Sequence, residues 1–264
     1  MAAKWTLITG ASDGLGREFA RIAAAEGRDL ILVARRAERL ESLAQELRAR
    51  YRIAVEVMPA DLSDPAAVDA LWRRAAHRRQ IEVLVNDAGF GLNGAFADTD
   101  LARELASIAV NVMALTILMK HAVGHMRSQG GGRILNVGST AGFMPGPNMA
   151  VYHATKAYVL SLSEAVAEEL RGGNVTVTAL CPGATATGFQ SVAQMENALL
   201  LRVLPVAEAG AVARAGWRAM QRGRRICVTG SFNRFFAAAP RLSPRALTTR
   251  IAGLFLRSGG IRAR

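Results

Sequence analysis

Cysteine is scarce in this 264-residue chain, which carries only Cys181 and Cys227, each within a strand-like run. Two thiols so placed exclude a disulfide scaffold. They are expected to be buried and reduced in a cytoplasmic protein, and no metal site is expected. Long apolar runs are lacking too. The longest, such as DLILVA and VTVTAL, are strand-sized and fall short of the ~18 uncharged residues of a spanning helix. A strand pattern begins within a few residues of Met1, so no signal peptide is expected ahead of the fold. There is no Pro/Gly/Ser linker and no internal repeat, which speaks for one domain.

Acids are missing from the end of the chain. From Arg202 to Arg264 there are thirteen arginines and one acid, Glu208, a net +12 that equals the charge of the whole molecule. Residues 1–201 therefore sum to zero. Such a basic segment is either a solvated surface, an amphipathic anchor on an anionic membrane, or a receiver for an acidic carrier or phosphate-bearing thioester. Nucleic acid is disfavoured, because neither aromatic platforms nor a known nucleic-acid motif is present.

What the chain has in plenty is apolar residues, 51%, enough to bury a substantial core. Short β-branched runs at 5–9, 29–34, 54–58, 83–86, 133–138, 175–181 and 225–229 alternate with helical stretches. These lie at 15–26, 36–50, 65–79, 101–128, 151–171 and 206–221. Alternation of this kind predicts βαβ units with right-handed crossovers. The expected fold is α/β, a Rossmann-type, doubly wound, seven-stranded parallel sheet with helices on both faces. The catalytic domain would span 1–230. A basic extension, 231–264, would pack on or beside it, with Phe235, Phe236, Leu247, Ile251, Leu254 and Phe255 spaced like one helical face.

The first strand runs into Thr9-Gly10-Ala11-Ser12-Asp13-Gly14-Leu15-Gly16 and then a helix. Glycines there permit a tight turn and bring backbone N–H groups to a pyrophosphate, aided by the positive end of the helix. The second strand ends at Arg35 and Arg36, where an NAD site usually carries an acid. Arginines suit a 2′-phosphate instead, so NADP(H) is the expected cofactor and NAD(H) the alternative. Asp13 works against that preference. Asp61, with Leu62, follows the third strand and either faces the adenine or caps a turn. Asn86-Asp87-Ala88-Gly89 gives the fourth strand a small-residue tip open to a ribose.

Tyr152 and Lys156 stand one helical turn apart on one face. A free phenol has a pKa of about 10, and a neighbouring ammonium is expected to lower it into a useful range. Ser139 ends the fifth strand, where such sheets bind ligands, and offers a hydroxyl to a carbonyl oxygen. Asn111 is a poor residue for a helix interior unless its amide has a task.

Taken together these residues resemble the short-chain dehydrogenase/reductase superfamily, in its compact YxxxK branch, over nearly the whole chain. TGASDGLG is similar to TGxxxGxG, and Asn86-Asp87-Ala88-Gly89 to NNAG with Asp87 in place of the second asparagine. Asn111, Ser139, Tyr152 and Lys156 match the catalytic tetrad. Pro182-Gly183, with Thr185 and Thr187 beyond, resembles the PGxxxT segment over the nicotinamide. The resemblance implies hydride transfer between nicotinamide and a carbonyl carbon, with Tyr152 exchanging the proton and Ser139 orienting the oxygen. Lys156 would bind the ribose and lower the tyrosine pKa, and Asn111 would hold a water. It also implies a homodimer or homotetramer paired through the helices at 101–128 and 151–171.

The substrate loop is expected at 185–203, where Phe189, Val192, Met195, Leu199, Leu200 and Leu201 make an apolar lid. Phe143, Met144 and Pro145 would add wall. A hydrophobic ketone or secondary alcohol is the expected substrate. A 3-oxoacyl thioester is the second enzymatic reading, and a nucleotide-sensing regulator without chemistry the third.

Overall fold

The computed structural model describes residues 4–193 and 205–256. Its main strands are β1 (Lys4–Thr9), β2 (Asp29–Ala34), β3 (Val55–Pro59), β4 (Gln80–Asn86), β5 (Gly132–Val137), β6 (Val175–Cys181) and β9 (Ile226–Val228). Their inner residues are largely apolar because both faces of a helix-covered parallel sheet are dry, although β6 alternates valine and threonine. All seven are parallel, in the order β3-β2-β1-β4-β5-β6-β9. This is the expected doubly wound α/β sheet, with boundaries within three residues of those read from sequence. Two-residue strands β7 (Thr185–Ala186) and β8 (Ala207–Glu208) form a separate parallel ribbon, too short to leave a periodicity.

Helix starts follow local chemistry. Asp13 caps α1 (Gly14–Ala25) by accepting from Gly14 N at 2.8 Å, and Asp64 caps α3 (Pro65–Ala76), with proline at its first position. Such caps satisfy orphan N–H donors. Helix α1, α2 (Ala37–Tyr51) and α8 (Ala209–Gln221) cover one face. There Phe19, Leu40, Leu47 and Trp217 pack on Leu30, Leu32 and Val85. The other face carries α3, α5 (Leu115–Ser128) and α6 (Ala150–Glu169). There Trp72, Leu118, Met119 and Val159 meet Leu7, Ile31 and Leu84.

Two expectations change. Helix α4 (Leu101–Ile108) runs through one π turn, Ala109–Ala114, into α5. The resulting 28-residue helix is, by length and composition, apolar enough to cross a membrane. It does not stand out as an uncharged run because Arg103, Glu104 and Lys120 interrupt it; the Leu115, Leu118, Met119, Ala122 and Met126 face is buried on the sheet. The basic extension is two helices rather than one, α9 (Ser231–Leu242) and α10 (Arg245–Phe255). Ser243 and Pro244, both in extended conformations, separate them.

Phe19 is fully buried, with its ring 6.5 Å from that of Trp217. Phe19→Ala is expected to cost about 3–5 kcal/mol in denaturant unfolding. A loss below about 1 kcal/mol would mean that this side of the core can collapse onto the void.

Candidate active site

The strand order reverses between β1 and β4, and a cleft of about 700 Å³ opens along the C-terminal ends of the strands at that point. Ligands of doubly wound sheets bind at such a switch. Another concavity, lined by Lys4, Gln80, Gly132 and Thr176 at the strands' N-terminal ends, holds none of the expected site residues.

At one end of the cleft lies the glycine-rich turn. Gly10 and Gly14 have φ of +72° and +53°, values open to glycine at little cost. A Cβ on Gly16 would sit 2.4 Å from Gly10 O, so helix and turn interlock. Gly10, Ser12, Asp13, Gly14 and Leu15 line the cleft with Arg35, Arg36, Asp61, Leu62, Ala88 and Gly89. Arg39 lines it as well, a residue not anticipated from the sequence because it lies one helical turn beyond the strand tip. Arg36 donates to Ser12 Oγ at 3.0 Å, and Arg36 and Arg39 approach Asp13 Oδ2 at 3.7 and 3.5 Å. The acid that seemed to oppose a 2′-phosphate is therefore already neutralised. Asp61 Oδ1 accepts from Ser63 N (3.0 Å) and Ser63 Oγ (2.8 Å), which hold its carboxyl below the usual range. Asp61 thus caps its turn and also lines the cleft. These glycines form a cradle that a Cβ would fill, and the arginines complement phosphate; the end fits a dinucleotide.

The other end gathers Ser139, Tyr152 and Lys156. Ser139 Oγ accepts from Ala141 N at 3.1 Å, and the Ser139 hydroxyl opposes the rise of the Tyr152 pKa. Lys156 Nζ donates to Val137 O at 2.7 Å and lies 5.7 Å from the Tyr152 ring centre. A Cβ on Gly91 would fall 2.7 Å from Tyr152 Cδ2, so only glycine at 91 leaves this ring in place. Pro182, Gly183, Thr185 and Thr187 line the cleft, and the Thr187 methyl sits against Gly14. The segment thus arches back over the glycine-rich turn.

Three expected residues stand behind the wall: Gly16, Asn86 and Asn111. Asn86 Nδ2 donates to Asn136 Oδ1 at 2.9 Å, deep in the sheet. The π turn swings Asn111 inward. Its Oδ1 accepts from Phe90 N (3.1 Å), and its Nδ2 donates to Phe90 O (2.9 Å), Ser107 Oγ (3.3 Å) and Thr155 Oγ1 (3.0 Å). Protein groups thus occupy the Asn111 side-chain amide, which ties the loop after β4 to α6.

The apolar end is made by Met144, Met149, Phe189, Val192, Phe236, Ile251, Phe255 and Leu256. Phe143 instead packs beside Leu160 and Cys181, away from the cleft, and Pro145 is exposed. The wall comes from helices α9 and α10, which the periodicity of the tail did not place. Of the expected substrate loop, residues 194–203 lie outside the described residues.

Residues 4–197 match the model of the short chain dehydrogenase family. The chain is 33% identical to 7beta-hydroxysteroid dehydrogenase of Mediterraneibacter gnavus over 184 residues, 70% of each protein. It is 39% identical to sulfoacetaldehyde reductase 2 of Chromohalobacter salexigens over 190 residues, 70% of this chain and 74% of that protein. A solved short-chain dehydrogenase of Sphingobium yanoikuyae, in complex with NADPH, superposes with a TM-score of 0.82. That structure is 33% identical, over 90% of this chain and 93% of the other.

Asp87 is the site residue whose weight the sequence underplayed. Its carboxyl lies beneath the turn, against Gly10 and Gly16, and accepts the Gly16 amide proton. Burial pushes it up to about 7 despite the nearby Lys156. Burial likewise draws Lys156 down to about 8, against the pull of Asp87. Tyr152 is pushed up to about 12, by burial first and by Asp87 as well, with the Ser139 hydrogen bond opposing. The expected depression of the phenol by Lys156 is overturned, because the ammonium faces the Val137 carbonyl and desolvation outweighs it. An acid raised from 3.8 to about 7 keeps its proton in the fold where the unfolded chain has lost it. Stability then falls as pH climbs through that window. The Tm of Asp87→Asn is expected to gain on wild type steadily from about pH 4 to 7 and to level off above. A pH-independent gap would show that Asp87 does not titrate there.

Proposed function

The chain belongs to the short chain dehydrogenase family, oxidoreductases of CH–OH and C=O groups that use a nicotinamide cofactor, and from that premise we propose that it reduces hydrophobic ketones with NADPH. One observation carries the reading. The Tyr152 phenol, the Ser139 hydroxyl and the Lys156 ammonium converge in a buried cleft whose other end is a phosphate cradle. The cofactor, when bound, supplies the hydride. Ser139 Oγ holds the carbonyl oxygen, and Tyr152 gives that oxygen its proton. A phenol raised to about 12 by burial is protonated at rest, the form that Tyr152 needs in order to act as donor. Lys156, fixed by Val137 O, places a cation beside the phenolate that donation leaves.

Arg35, Arg36 and Arg39 support NADPH over NADH, since all three line the nucleotide end of the cleft, with Asp13 already paired, and guanidinium groups suit a 2′-phosphate. The relatives include one named for a steroid and one for a small sulfonated aldehyde, so the substrate class rests on the apolar wall. Exposed Leu105, Met113 and Tyr158 on the long helices favour a homo-oligomer paired there.

Tyr152→Phe is expected to lower kcat by about 10²–10⁴-fold while NADPH still binds. Retention of most of the rate in a carbonyl-reduction assay would assign the proton to another group. Arg35→Ala is expected to weaken NADPH by about 10- to 100-fold in fluorescence titration, the value of one charge-assisted hydrogen bond, and to leave NADH little changed. Equal losses for both would remove Arg35 from 2′-phosphate recognition.

A further inference from the structure

Helices α9 and α10 have two faces of different use. Inward, Phe236, Ala252, Phe255 and Leu256 line the cleft. The pair is anchored by Asn93 Nδ2 donating to Leu256 O at 3.1 Å and by Gly253 against Pro147. Outward, Phe235 is 69% and Leu254 55% exposed, with Phe232 and Leu247 exposed beside them. Val192 and Ile251 belong to both sets: each lines the cleft, yet they are 48% and 40% exposed. The apolar patch therefore continues into the mouth of the cleft.

Charge says what covers the patch. After Glu208 the sequence has twelve arginines and no acid. Arg234, Arg245 and Arg250 lie exposed on these two helices. Among the described residues, no ion pair involves any of the three. A second copy docked through the same face would set arginine against arginine with nothing to neutralise it. Exposed phenylalanine and leucine interleaved with arginine match the chemistry of the interfacial layer of an anionic bilayer. We propose that α9 and α10 dock the protein on an anionic membrane. The cleft mouth then opens onto the bilayer, so the substrate is a membrane-dissolved, long apolar carbonyl compound. The substrate half rests on the function proposed above; the docking half does not.

The test is sedimentation of the full chain with vesicles of phosphatidylcholine alone, or of phosphatidylcholine mixed with phosphatidylglycerol. Wild type is expected to pellet with the mixed vesicles, to be released by salt, and to remain in solution with phosphatidylcholine alone. Phe235→Glu with Leu254→Glu should abolish pelleting. Arg234→Gln, Arg245→Gln and Arg250→Gln together should weaken it about 100-fold, from roughly 1 kcal/mol per surface arginine. Both variants should keep wild-type NADPH oxidation with a small soluble ketone. Docking is overturned if wild type stays in the supernatant, or if the variants pellet as it does. It is equally overturned if the Phe235/Leu254 variant breaks an oligomer without changing pelleting. In the substrate arm, a long-chain ketone embedded in mixed vesicles should be turned over by wild type and lost in the Phe235/Leu254 variant. Equal turnover by both would overturn the membrane route. A protein that pellets but reduces no ketone would sink the proposed function and leave docking standing.

Discussion

The cleft depends on one hydroxyl. Thr9 Oγ1 accepts the amide protons of Asp87 at 3.0 Å and Ala88 at 3.1 Å, tying the tip of β1 to that of β4. These strands part at the reversal of the sheet, where no further strand can serve their last donors. Unpartnered, two such N–H groups in a dry interior would each cost about 1–3 kcal/mol. Satisfying them from a side chain lets the pairing stop without opening the core, and the space above becomes a site. The next residue, Gly10, turns away at positive φ, and Gly16 seats helix α1 on the turn it has made. Thr9, the two glycines and the strand tip act as one joint.

Dryness then decides the chemistry. Burial of a charge moves a pKa by as much as about 3–5 units, whereas one neighbouring charge moves it by about 1–3. Tyr152, Lys156 and Asp87 obey the larger effect: each is driven toward its neutral form. The YxxxK spacing shows that two side chains share a helical face. It does not show that the ammonium is drawn to the Val137 carbonyl of β5, a contact set by how α6 lies on the sheet. The expectation of a softened phenol failed there. Burial keeps that phenol protonated.

Most of the fold was legible because the parallel sheet writes itself as apolar runs and its helices open on visible caps such as Asp13 and Asp64. The cleft residues were legible where a motif coincides with a strand tip, as for Ser139 and the glycine-rich turn, or with a helical spacing, as for Tyr152 and Lys156. Residues acting through packing were not. Gly91 matters only because a ring passes it. Arg39 is an ordinary helix residue until Asp13 is seen beside it. That the Asn111 amide has a task was legible, but its partners were not, because periodicity cannot show the π turn on which it stands. Likewise the tail showed an apolar period, but the break at Ser243–Pro244 and the direction of each face are tertiary facts.

That tail also separates what the fold requires from what it does not. Residues 1–201 carry no net charge, and the sheet, its helices and the reacting groups all lie within them apart from α8, β9 and the outer wall. The inward positions of α9 and α10 are held by packing: Ala237, Ala252 and Leu256 are buried, and a larger or charged residue there would meet the cleft. Outward positions face no such demand. Solubility alone would fill them with charges of both signs and few aromatics. Phenylalanine, leucine and arginine stand there instead, with no acid among residues 231–256, the composition on which the docking proposal rests. Because the same two helices wall the substrate end, whatever meets their outer face also meets the entrance.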